Sequence, residues 1–225
     1  MSKYQKVKID PTFLRIVSGD MRPRAARRLV TRSGRRSRGN FPSRKSAVPV
    51  AYESQLELAA CRVLEVASSV RRFGTQPANL EITDPEHSFR YTPDLYFVWQ
   101  WRETVVGEVK PDRKFLRPDV RDRLHQVTRR FAEEGTLFVV LLESDLKPDP
   151  DLQDDLARLL RDAPWPKLRP NLGSMHNEVA EPDEDPEPTS DAWQRARAVC
   201  DDLLRRVMDR SFAETVRAAE TAVEQ

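Results

Sequence analysis

The sequence predicts an α/β layered core, a mixed β-sheet flanked by helices, with a basic N-terminal arm and a C-terminal helical appendage. Three observations predict it. A helix-period segment is followed by short strand-like segments separated by turn residues. A second helix-period segment then leads to Thr136-Leu137-Phe138-Val139-Val140-Leu141-Leu142, an apolar run of the kind buried on both faces of a sheet. A third helix ends near residue 163, and the order helix, antiparallel strands, helix, strand, helix calls for helices layered on a sheet.

Residues 1–50 form the arm. They carry 14 Lys/Arg against Asp10 and Asp20, a local charge of +12 in a chain whose net charge is only +2. Between residues 22 and 45 stand nine Arg and one Lys, interrupted by Pro23, Gly34, Gly39 and Pro42, which suits an extended arm better than a packed element. Such a block is the electrostatic footprint of a polyanion binder.

The core is expected over residues 51–163. Tyr52-Glu53-Ser54-Gln55-Leu56-Glu57 opens a helix running to about residue 68, with Leu56, Ala59, Ala60, Val63, Leu64 and Ala67 on one face. Glu53 is expected in its first turn, where the unpaired amides and the dipole favour a carboxylate. Residues 70–75 and 79–83 read as short strands broken at Gln76-Pro77, and Asp84-Pro85-Glu86-His87 as a turn. Residues 89–100 read as one strand, whose aromatics Phe89, Tyr91, Tyr96, Phe97 and Trp99 suit core and cross-strand packing. Residues 104–110 are its partner, closed by Pro111-Asp112. A helix follows over 118–134 with the buried stripe Val120, Leu124, Val127 and Phe131, then the strand at 136–142 and a helix over 151–161.

Residues 164–190 read as an acidic, proline-rich linker, kept extended by proline and self-repulsion; across 143–191 the local charge is −9. Residues 191–225 form the C-terminal helical segment. Its first helix, 191–210, presents Trp193, Ala196, Val199, Cys200, Leu203, Val207 and Met208, and suits either docking on its own core or capture by a partner. Ser211-Phe212-Ala213-Glu214 has the form of a capping box that starts a last helix.

No apolar run approaches the ~20 residues of a membrane span, and no apolar segment follows the basic N-terminus as in a secretory signal. Cys61 and Cys200 lack metal or redox spacing and read as reduced thiols, so the expected location is the cytoplasm. His87, His125 and His176 are scattered and read as surface residues.

The chemistry sits at Pro93-Asp94 and Glu108-Val109-Lys110. Side chains alternate along a strand, so Glu108 and Lys110 share a face while Val109 turns to the core. A hairpin partner carrying Asp94 brings two carboxylates and an ammonium together. Neighbouring carboxylates repel unless a cation separates them, and oxygen-only ligands suit Mg²⁺, with Mn²⁺ as a substitute. The expected metal ligands are Asp94, Glu108, the Val109 carbonyl and Glu53, with Glu57 the rival of Glu53. Lys110 orients the attacking water or offsets negative charge in the cleavage of a phosphodiester. Arg38, Arg44, Lys45, Arg90 and Lys114 are the candidate DNA-backbone contacts.

Several motifs in register carry a resemblance. Arg38-Gly39-Asn40-Phe41-Pro42-Ser43-Arg44-Lys45, Tyr52-Glu53-Ser54-Gln55-Leu56-Glu57, Gln76-Pro77, Arg90-Tyr91-Thr92-Pro93-Asp94, Glu108-Val109-Lys110-Pro111, Gly135-Thr136-Leu137-Phe138 and Leu142-Glu143-Ser144-Asp145-Leu146 follow the order found in TnsA-type transposon endonucleases. Over about residues 35–160 the chain resembles that family. The resemblance implies a restriction-endonuclease-like core and Mg²⁺-dependent cutting of the 5′-end strand at transposon ends. It also implies a DDE transposase of TnsB type and an AAA+ ATPase of TnsC type as partners. Glu53, Asp94 and Lys110 take the family's active-site roles, and Glu108 stands where some members have glutamine. Residues 164–225 depart from the pattern, being too few for the winged-helix type of C-terminal domain. Two other functions fit the sequence: a stand-alone restriction or repair nuclease, and a non-catalytic DNA-binding adaptor of a transposition complex.

Overall fold

The protein is described here by a computed structural model, which covers residues 37–46, 49–77, 79–83, 88–100, 103–163 and 190–224. Most of the basic arm, the turn at 84–87, His176 and the acidic stretch at 164–189 lie outside the described residues.

In chain order the elements are β1 (Gly39–Phe41), β2 (Val50–Tyr52), α1 (Gln55–Val66), β3 (Val70–Thr75), β4 (Leu80–Thr83), β5 (Ser88–Tyr91), β6 (Leu95–Trp99) and β7 (Glu103–Lys110). They continue with α2 (Asp112–Phe115), α3 (Pro118–Glu133), β8 (Leu137–Leu142), α4 (Glu143–Leu146), α5 (Leu152–Asp162), α6 (Asp191–Asp209) and α7 (Phe212–Glu224). The expected mixed α/β class is observed. β3, β6, β7 and β8 form a sheet in that order, antiparallel except for the parallel β7–β8 pair. β1–β2 and β4–β5 are separate two-stranded ribbons.

Each face of the sheet carries its own core. On one face Leu95, Phe97, Val105, Val109, Val139 and Leu141 pack with α1, α5 and α6. On the other, Val106, Phe138, Val140 and Leu142 pack with Leu124, Val127 and Phe131 of α3, with the β4–β5 ribbon, and with α7. The alternation along β7 and β8 is the period-2 geometry of a pleated strand. Both faces are covered, which explains why residues 137–142 are almost wholly apolar.

Two expectations need correction. Residues 89–100 are two strands: β5 pairs with β4, whereas β6 pairs with β3 and β7. Pro93 lies at the break; it has no backbone N–H to give a ladder and fixes its own φ. Glu53 is not in the first helical turn. Ser54 is the N-cap, in extended backbone at φ −151° and ψ 160°, and accepts a hydrogen bond from the Glu57 amide, so Glu57 is the first-turn acid.

The C-terminal helices are built into the core. Trp193, Cys200, Leu203, Leu204 and Val207 of α6 join the α1 face, while Phe212 of α7 stacks edge-on against Phe115. Asp201 of α6 accepts from the Ser69 amide at 2.9 Å. Arg210, between the two helices, makes a two-point pair with Asp145 at 3.0 and 2.7 Å, and a 3.3 Å bond to the Val140 carbonyl of β8. The helix pair therefore straddles β8, the terminal strand of the sheet. The capping box at Ser211 and Glu214 is present as expected, with the Ser211 amide donating to Glu214 at 2.7 Å.

Candidate active site

The break at Pro93 starts β6 at Leu95, which pairs with Gly107 of β7. One step further along the same register sets Asp94 opposite Glu108. A side chain at Gly107 would meet Leu95 Cδ1 at 2.6 Å and Leu141 Cδ1 at 3.3 Å, so its absence lets the strands and their packing close tightly beside the acids.

Asp94, Glu108, Val109 and Lys110 converge as expected. Asp94 Oδ2 accepts from the Val109 amide at 2.9 Å and from Lys110 Nζ at 3.3 Å. Lys110 Nζ also bonds Glu108 Oε1 in a short ion pair, and lies 3.2 Å from the Val109 carbonyl. One positive centre thus touches both carboxylates and the carbonyl. The side chains of Lys110, Asp94 and Glu108 are 16%, 23% and 8% exposed, so the cluster opens to solvent chiefly at Asp94.

Tyr91 is the residue the sequence reading missed. Its hydroxyl donates to Glu108 Oε2 at 2.5 Å, although its ring lies in the core as expected, edge-on to Phe138. The one available signal was chemical and named no partner: a buried tyrosine hydroxyl needs an acceptor.

Burial first, and the Asp94 charge second, push the Glu108 carboxyl up to about 7, against the opposing pull of Lys110 and Tyr91. For Lys110, burial acts downward, but the charges of Glu108 and Asp94 outweigh it and hold the ammonium above its ordinary value. Burial, reinforced by Glu108, raises Tyr91 well above its ordinary value, so it stays a hydroxyl donor.

The α1 acids are arranged differently from expectation. Glu57 Oε2 accepts from the Glu53 amide at 2.8 Å and Oε1 from the Ser54 hydroxyl at 2.9 Å. Burial raises the Glu57 carboxyl, the Glu53 amide opposes this, and the nearby Asp94 charge adds to it. The Glu53 carboxylate makes no hydrogen bond or ion pair with the cluster among the described residues, and no group of three or more acids, His or Cys is placed there to hold a metal. Of the two acids expected to compete for the third position, Glu57 is the one whose carboxyl feels the Asp94 charge, and Glu53 lies just ahead of the helix.

The donor set nevertheless fits a hard cation. Two carboxylates and a carbonyl surround the Lys110 ammonium, an all-oxygen set of the kind that would suit Mg²⁺ or Mn²⁺.

The basic residues divide into two groups. Arg90 is exposed on β5 beside Tyr91, its carbonyl held by Arg123 at 2.7 Å, and Lys114 is exposed on α2, the short helix that follows β7. Arg38 is exposed just before β1. Arg44 and Lys45 differ from expectation, being turned into the protein. Arg44 pairs with buried Glu65 at 3.3 Å and lies 4.9 Å over the Trp193 ring. Lys45 Nζ bonds the Leu64 carbonyl at 2.9 Å and the Ala67 carbonyl, closing the C-terminus of α1. His125 is exposed, as expected, and stacks on Phe212. Cys61 and Cys200 are both buried free thiols. No described helix is long and apolar enough to cross a membrane. No protein-family model matches the chain, and the comparison with curated proteins gave no match.

Proposed function

We propose that the protein is a metal-dependent DNA endonuclease with a restriction-endonuclease-like core, acting as the TnsA-like, 5′-strand-cutting subunit of a heteromeric cut-and-paste transposase. The observation that carries the chemistry is the convergence of Asp94 Oδ2, Glu108 Oε1 and the Val109 carbonyl on one cationic centre at the Pro93 break. A divalent cation held by those three groups would lower the pKa of water and act as Lewis acid on a phosphate oxygen. Within the chain, the Val109 amide fixes Asp94, and Tyr91 fixes Glu108 by the oxygen that faces away from Lys110. Lys110 supplies the positive charge that offsets negative charge building on the phosphate in the transition state. Exposed Arg90, next to Tyr91 in the chain, and exposed Lys114, four residues after Lys110, would hold backbone phosphates without reading sequence.

The transposase role, with TnsB-type and TnsC-type partners and a cytoplasmic, nucleoid-associated location, rests on the motif resemblance. Its test is a nicking assay on transposon-end DNA with Mg²⁺, with and without the partner transposase. Asp94→Ala is expected to abolish cleavage while DNA binding persists; cleavage by that variant at the wild-type rate would remove the mechanism. A second reading, a stand-alone nuclease, is favoured by the docking of α6 and α7 on their own core, so that neither of these helices is a detached appendage among the described residues. It predicts cleavage of ordinary DNA with no transposase present.

A further inference from the structure

Gln76 stands out among the residues around the site. It follows β3, and its backbone amide donates to the Asp94 carbonyl at 3.0 Å, so it is the residue tied to the backbone of the proposed metal ligand. Its φ is +47°, a left-handed conformation rare outside glycine, and the following Pro77 favours extended backbone at this position. Among the described residues the other non-glycine with positive φ, Gln100, lies in an exposed turn. Gln76 is instead 5% exposed, and its carboxamide oxygen is buried with no hydrogen-bond partner among the described residues. A buried acceptor without a donor costs stability, and strained backbone persists at functional positions. The β3–β6 register, which pairs Thr75 with Leu95, continues to set Gln76 opposite Asp94, which itself stands opposite Glu108. The Val109 amide, the Lys110 ammonium and the Tyr91 hydroxyl all donate to the two carboxylates, and none donates to Gln76.

We infer that Gln76 is a positioning residue of the metal centre: its carboxamide oxygen accepts a hydrogen bond from a water in the hydration shell of the cation held by Asp94 and Glu108. This rests on the metal-dependent reading above. Mg²⁺ and Mn²⁺ keep several waters when only a few protein oxygens bind them, and those waters are donors that need acceptors. With the carboxylates engaged by the metal, a neutral amide oxygen supplies an acceptor without adding a third charge to a buried site.

The test uses the full chain, titrated calorimetrically with Mn²⁺ and unfolded thermally in EDTA. Gln76→Met removes the acceptor at similar volume and Gln76→Glu keeps one. The Met variant is expected to unfold in EDTA at the wild-type temperature or above it, and to bind Mn²⁺ about tenfold more weakly. The Glu variant is expected to recover wild-type affinity or better. Wild-type Mn²⁺ affinity in Gln76→Met, or a lowered unfolding temperature in EDTA, overturns the inference while leaving the metal site standing. Absence of Mn²⁺ binding by the wild-type protein overturns the metal reading and this inference together.

Discussion

A single hydroxyl sets the environment of Glu108. Tyr91→Phe would leave Oε2 buried without its donor, and is expected to lower stability by about 1–3 kcal/mol at pH 8, read by denaturant unfolding. The charge state of Glu108 gives a further check. Its carboxyl is raised from 4.5 to about 7, so the metal-free folded protein holds more protons than the unfolded chain across that window. The group's contribution to stability is therefore complete below about 4.5 and is lost as pH rises through about 7. A cation needs the ionised form, so Mn²⁺ affinity is expected to rise with pH up to about 7 and then level off, in calorimetric titrations between pH 6 and 8.5. Lys110→Met removes the internal competitor from among the oxygens. Mn²⁺ should then bind several-fold more tightly, while cleavage falls by about 10²–10³-fold because the charge that opposes the developing phosphate charge is gone. A variant with weakened metal binding and intact cleavage would contradict both roles. These groups were legible as residue types in Pro-Asp and Glu-x-Lys, because alternation along a strand is a fixed geometry. The Tyr91 bond was not, since it joins a ribbon to the sheet and no local pattern encodes that meeting.

Elements explain what the spacing alone could not. Helix 118–133 and strand 137–142 were readable because their apolar periods are long and unbroken. The start of α1 was misread because Ser54 and Glu53 are both plausible N-terminal residues, and only the extended backbone at Ser54 selects between them. Likewise the run of aromatics from 89 to 99 hid the change of partner at Pro93. Arg44 illustrates how charge density misleads. In the sequence it belongs to a basic block, yet its guanidinium neutralises the fully buried Glu65 carboxylate, which also takes the Ser43 hydroxyl at 2.6 Å. Arg44→Ala is expected to destabilise the protein by about 3 kcal/mol, since it leaves a buried charge poorly compensated, with DNA affinity little changed. Lys114→Ala should do the reverse. Unfolding should be unaffected, and the slope of log binding constant against log salt should shrink by about one unit in DNA-binding titrations. A wild-type salt slope in Lys114→Ala would show that this lysine sits away from the phosphates, and a reduced slope in Arg44→Ala would show that the arginine reaches them.

At the scale of the whole molecule, two cores share one four-stranded sheet, and the α6–α7 pair contributes to both. The layered class could be read from element order, but the destination of the last helices could not. An amphipathic stripe states that a face must be covered and says nothing about what covers it. Here Trp193 found Arg44, and Arg210 found Asp145, partners separated by well over half the core in sequence. These closures carry a kinetic cost. The Ser69–Asp201 contact spans 132 residues, and loops of that size are slow to close relative to helix and hairpin formation. During refolding, β8 should spend an interval as an uncovered edge, with backbone groups open to pairing with another chain. Crowded refolding mixtures should accordingly clump before the tail settles, and dilution should restore the yield.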